Sequence, residues 1–189
     1  MSDYLDLIGS FVIGSIVILM LANFNSTVNT SATQNLYEGV TQREMKSTSF
    51  AIEEDMYKIG LRINGEKITK ADSTEISFLG DIYNFGLIDS VSYYLGKPEE
   101  LKSTPNPNDR ILYRKWNSKD PFPLHIVTNF KFSYFDSLGQ NINYQTLKNV
   151  NGRKKIKSIK VQFTVESKEQ INSTFNTAEF DKVIRPKNL

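Results

Sequence analysis

The side chains able to do chemistry are few in this sequence, and their types narrow what the chain does. There is no cysteine and one histidine, His125. Thiol–imidazole pairs, disulfides and multi-histidine metal sites are therefore excluded. A serine hydrolase would have to use His125, but no nucleophile-elbow pattern accompanies it, and alternation places it on the polar, exposed face of a strand. Glu53, Glu54 and Asp55 are consecutive. Adjacent helix positions point in different directions, so the three do not converge on one metal and read as a solvated helix face. Asp81 and Asp89 flank Asn84-Phe85-Gly86. Their spacing does not match a calcium-binding EF-hand loop, and a turn accounts for them better. No glycine-rich phosphate loop occurs. The one charge cluster is Arg153, Lys154, Lys155, Lys157 and Lys160. Placed at a hairpin tip and the start of a strand, it would offer a patch to an anionic partner, DNA phosphates or anionic lipid. A solvated tip, or an edge kept from aggregating by lysines, explains it more simply. No catalytic residues, cofactor or metal are expected from this inventory, and no small-molecule substrate.

What positions these groups is an unusual N-terminal third. An apolar run from Leu5 to Phe24 flows without proline into a polar, helix-compatible stretch ending near Gly60, and the first proline is Pro98. Roughly 20 apolar residues suffice to cross a bilayer core as a helix. Continued to Gly60, a rod of about 55 residues would be roughly 80 Å long. A cleaved secretory signal is the alternative, but a signal carries a basic leading region, and here the first basic residue is Arg43, with Asp3 and Asp6 ahead of it. Neither flank has nearby Lys or Arg, so charge does not set the orientation. With 23 basic and 21 acidic side chains, the net charge of +2 gives no whole-chain case for nucleic acid.

Within the apolar run, Ser10 and Gly14 are four apart on one helix face, a spacing that lets a neighbouring helix approach closely. The Asn-, Ser- and Thr-rich segment 25–35 is expected to loosen the helix. Val28, Ala32, Leu36 and Val40, then Met45, Ile52, Met56, Ile59 and Ile63, form an apolar stripe expected to dock on a sheet. Gly60 is the expected C-cap. Beyond it the pattern alternates. Strands are expected around Ile76–Phe78, Val91–Leu95, Arg110–Trp116, Ile126–Tyr134 and Ile159–Val165, each with one wet face. Lys97 to Asp109 reads as a long loop, and Asn151-Gly152 as a hairpin turn. The division is 1–24 membrane-spanning helix, 25–60 amphipathic continuation and 61–189 antiparallel β-rich head, an α+β fold with a long N-terminal helix packed on an antiparallel sheet.

Three segments together carry a family likeness. The first is the apolar helix running into an amphipathic one. The second is Ile52 to Gly60 followed by Ile76-Ser77-Phe78, similar to an acidic–x–x–x–x–Gly junction leading to a strand. The third is the aromatic run Val127 to Gly139 ending in Asp136-Ser137-Leu138-Gly139, with a closing Ile184 to Leu189 tail. The chain resembles the type IV pilin and pseudopilin family, in particular the larger minor subunits. That resemblance implies a non-enzymatic structural subunit, anchored in a bacterial cytoplasmic membrane with its head outside the cytoplasm. Its partners would be membrane lipid and other pilin-like subunits, in a pilus or a type II secretion-type filament. The family's basic leader, and its glutamate at the fifth mature position, have no counterpart here, so processing and N-methylation are not expected. By the same resemblance Asp6, just inside the apolar run, or less readily Asp3, would take that glutamate's role and set register between subunits, with Ser10 and Gly14 packing helices. The alternative is a membrane-tethered binding domain that does not polymerise, with Tyr93, Tyr94, Trp116 and Phe122 lining its surface.

Overall fold

In the computed structural model, which describes residues 2–101, 104–171 and 173–189, helix α1 runs unbroken over Ser2–Tyr57. Segment 25–35 does not loosen it. The hydroxyls of Thr27, Thr30 and Thr33 donate to the carbonyls of Asn23, Ser26 and Asn29, four residues back. Spent on their own helix, they do not compete with its backbone ladder. By length and composition α1 is able to cross a membrane, and its most apolar window is entirely uncovered by the rest of the chain.

The head is two antiparallel meanders. Strands β1 (Ile68–Ala71), β2 (Glu75–Gly80), β3 (Asp89–Leu95), β4 (Arg110–Trp116) and β5 (Phe122–Val127) form a five-stranded sheet in that order. Strands β6 (Asn129–Phe135), β7 (Ser158–Glu166) and β8 (Thr177–Ile184) form a three-stranded one. Two short helices, α2 (Tyr144–Leu147) and α3 (Val150–Arg153), join β6 to β7. The expected strand Ile126–Tyr134 is thus two strands in different sheets. The chain changes sheet at Thr128, whose N–H donates to the Thr164 carbonyl of β7. The expected loop 97–109 contains a 3₁₀ turn at Pro98–Leu101, and its residues 102 and 103 lie outside the described residues.

One core joins helix and sheets. Ile52, Met56 and Ile59 of α1 pack with Phe78, Tyr93 and Leu112 of the larger sheet and with Phe132, Val161, Phe163 and Ile184 of the smaller. The last part of α1 is therefore as much a part of the head as the strands are.

Only the later half of the expected stripe docks. Val28, Leu36 and Val40 are exposed. The reason is helical arithmetic: each step of four residues overshoots a 3.6-residue turn by about 40°. Counted that way, Val28, Ala32, Leu36 and Val40 lie roughly 120–160° around the helix from Ile52, on the face turned away from the head.

The helix is stopped by contact as well as by conformation. Gly60 adopts φ +74° and its N–H donates to the Leu79 carbonyl, handing the chain to β2. A Cβ on the facing Gly80 would lie 2.3 Å from the Lys58 carbonyl oxygen. Gly80→Ala must push β2 from the helix end. Overpacking of this kind costs about 1–3 kcal/mol, and thermal unfolding of the detergent-solubilised protein is expected to show that loss.

Candidate functional site

Two regions are built to do something: the junction where α1 meets the larger sheet, and the uncovered surfaces beside it. At the junction, Asp55 is buried rather than part of a solvated face as its sequence neighbourhood suggests. Its Oδ2 accepts from the Tyr93 hydroxyl at 2.6 Å and from Arg114 Nε at 2.6 Å, and Oδ1 accepts from Arg114 Nη2 at 3.2 Å. The run of three acids is split by helix rotation. Glu53 meets Lys182 of β8 at 2.6 Å, and Glu54 pairs with Lys58 one turn on at 3.0 Å. A bidentate arginine on a largely buried carboxylate is among the stronger polar contacts a fold can make. It ties α1 to β3 and β4 at once. Asp55 bonds raise the Arg114 pKa although burial opposes them.

Further down, the head grips α1 again. His125 is half-buried, not exposed, with its Nε2 3.4 Å from Glu44. The segment after β7 reaches the middle of the helix. Tyr37 donates to Glu169 at 2.9 Å and Asn176 donates to the Gln34 carbonyl at 3.3 Å.

The basic cluster does not survive as one patch. Arg153 is pinned by Glu66, by the Ile68 carbonyl at 3.0 Å and by the Leu147 and Lys148 carbonyls at 3.0 Å. Lys160 pairs with Asp181 at 2.9 Å. Only Lys154, Lys155 and Lys157 stay exposed. Nor is there a hairpin tip. Asn143 caps α2 by accepting from Gln145 N–H, and Asn151-Gly152 lies inside α3. Gly152 is needed for close approach instead of a tight turn: a Cβ there would sit 1.9 Å from the Thr146 carbonyl oxygen.

Asp81 and Asp89 are also occupied. Asp81 accepts from the N–H groups of Phe85 and Gly86 at 3.0 and 2.9 Å and pairs with Arg62 at 2.9 Å. Asp89 accepts from Trp116 Nε1 and Asn117 Nδ2, both at 2.9 Å. These bonds brace the β2–β3 loop, which presents Phe85, Leu87 and Ile88 to solvent. The sequence marks that loop only as a turn, although Asp81 and Asp89 bracket five apolar residues, Ile82, Tyr83, Phe85, Leu87 and Ile88. Of the aromatics expected to line a surface, Tyr93 is fully buried and Tyr94 stacks on Tyr113 at 5.4 Å. Trp116 is half-buried, edge-on to Tyr83 at 5.0 Å, and Phe122 is exposed.

In the apolar half of α1, Ser10 Oγ donates to the Asp6 carbonyl at 2.8 Å. Ser10 and Gly14 border a shallow notch with Leu7, Phe11, Ser15 and Ile18, and nothing fills the space where a Gly14 side chain would be. Asp6 is exposed on the same helix.

Removing the Asp55 carboxylate strands a largely buried guanidinium, which typically costs about 3–5 kcal/mol. Asp55→Ala is expected to lower head stability by that amount in denaturant unfolding. A second expectation concerns alkali. Burial first, then the Asp55 charge, raises the Tyr93 pKa well above the ordinary tyrosine range. Burial raises Tyr134 likewise. Unfolded tyrosines ionise near about pH 10, so this contribution is complete below that and is lost as pH rises toward the folded values. In a phenolate absorbance titration, Tyr93 and Tyr134 should ionise last, together with unfolding.

No family model, no characterised protein and no solved structure matches this chain significantly.

Proposed function

We propose that this chain is a pilin-like structural subunit, without catalytic activity, anchored in a membrane by the first half of α1 and assembling by side-by-side packing of that helix with copies or relatives of itself. The observation that carries the proposal is where the apolar residues of α1 point. The head covers one side of the helix through Thr41, Met45, Thr48, Ile52, Met56 and Ile59, which are buried or partly so. The opposite side carries Val28, Ala32, Leu36 and Val40 in the water-facing part, all exposed. At 3.6 residues per turn, Ser10 and Gly14 fall on roughly the same side.

An apolar line uncovered in water and continued into the lipid-facing half suits a neighbouring parallel helix. Small residues let that helix approach closely in lipid, and apolar ones hide from water above it. Between Asp6 and Arg43 the only charged side chain is Glu38. It lies roughly 40° from Ile52, on the head's side of the helix. Asp6 in lipid is tolerable when paired, and setting register against a neighbour is the role proposed for it. The location that follows is a bacterial cytoplasmic membrane, crossed once, with the head outside the cytoplasm in a pilus or secretion-type filament.

A second reading, a tethered domain that binds a partner as a monomer, is favoured by the exposed Phe85, Leu87 and Ile88. One experiment separates the two. The chain has no cysteine of its own, so Gly14→Cys and Leu36→Cys variants can be linked by a bifunctional maleimide in native membranes without background. The filament subunit is expected to give linked dimers at each position. Monomer alone would leave only the tether.

A further inference from the structure

A groove runs beside the last turns of α1. Its helix wall is Ala51, Glu54, Asp55 and Lys58, and its opposite wall is Tyr83, Phe122 and Leu124, around a space of about 300 Å³. The charges along it are already matched. Arg114 is held by Asp55, and Lys58 by Glu54 and by the Ile82 carbonyl at 2.7 Å. Phe122 is nevertheless 64% exposed and Tyr83 42%. A groove with spent charges and open aromatic walls accepts an apolar group in preference to an ion.

The same chain displays one. Phe50 stands 70% exposed on α1, in the water-facing part of the helix. It lies roughly 160° from Ile52, so it cannot fold back into the head, and it sits about 100° around the helix from Ala51 on the groove side. Phe50 is not among the residues lining the groove, although Glu54, one turn on and about 40° round, is, so knob and groove are adjoining but distinct surfaces of one molecule.

We infer that Phe50 of one copy seats in the Ala51–Lys58/Tyr83–Phe122–Leu124 groove of the next. The inference rests on the filament proposal, because the shared membrane is what makes the partner a second copy. Helices rooted in one bilayer stand parallel, which brings residues of similar height on neighbouring copies together. Phe50 lies about 39 Å beyond Phe24 along α1, and the groove's helix wall spans about 40–51 Å. The mismatch between knob and groove centre is about 7 Å, so each copy must rise by about that much over its neighbour. A contact between unlike surfaces combined with a rise does not close on itself, and it generates an open helical array.

The test uses the full-length chain in its membrane. Two differently tagged forms, Phe50→Cys and Phe122→Cys, are co-expressed and oxidised. Both positions are exposed, so the core is untouched, and unfolding midpoints verify this. The expected product is a disulfide carrying both tags, exceeding either same-tag product at least tenfold. Phe50→Ser in the Leu36→Cys background is expected to lower the yield of maleimide-linked dimer on the order of tenfold, as removal of an interface anchor does. If the Leu36→Cys dimer forms while the mixed Phe50/Phe122 product does not, the groove contact is wrong and helix packing stands. If neither forms, both are wrong. A Phe50→Cys adduct with any other protein also overturns the inference.

Discussion

A helix with a bilayer-length apolar half at one end and a protein core at the other must have its rotation about its own axis set firmly, and here one carboxylate fixes that rotation. Asp55 sits where α1 meets the larger sheet, gripped by Tyr93 from β3 and Arg114 from β4. Apolar contacts of Ile52, Met56 and Ile59 supply the burial. Burial is indifferent to a modest twist, whereas a bidentate arginine is directional. Because Asp55 faces the sheet, every other residue of the unbroken rod has its heading assigned. Val28, Ala32, Leu36 and Val40 are turned from the head, and Phe50 is left in the open. The lower contacts, Tyr37 to Glu169 and Glu44 to His125, hold the same heading farther down the rod.

The polar side chains of the head are engaged in holding the fold together. Its buried polar side chains are spent on one another. Asp81 braces a loop, Asp89 fastens Trp116, Arg153 gathers three carbonyls and a carboxylate, and Asp55 fastens the helix. No buried side-chain nitrogen or oxygen among the described residues lacks a hydrogen-bond partner. Uncovered apolar surface remains in three places: the back of α1, the groove beside it, and the rim formed by Phe85, Leu87 and Ile88. Exposed apolar surface on a folded domain marks contact with something else. Its arrangement along a membrane-rooted rod is the physical content of the filament proposal.

Much of this was legible in the residues. A proline-free apolar run foretold α1, alternation foretold β2, β3 and β7, Arg110–Trp116 stood out as a further strand candidate, and Gly60 foretold the helix end. Those signals are local: backbone permission and the period of burial act within a few residues of each other. Strand β1 was not legible because four residues cannot display a period. Strand β8 was obscured because Lys182 stands on its inner face, where Glu53 satisfies it. Gly152 misled because a glycine required for close helix approach looks, in one dimension, like a glycine required for a turn.

The sequence by itself determined that there would be a membrane-length helix, that it would continue into an antiparallel β head, and that no thiol or multi-histidine chemistry would be present. Only the tertiary structure decided which acid of Glu53-Glu54-Asp55 is buried, where the chain leaves one sheet for the other, and which half of the α1 stripe the head covers. Each of those outcomes depends on a partner dozens of residues away. Arg114 selects Asp55, the Thr164 carbonyl receives Thr128, and the accumulated 40° drift of an every-fourth-residue pattern carries Leu36 out of reach of the core that holds Ile52.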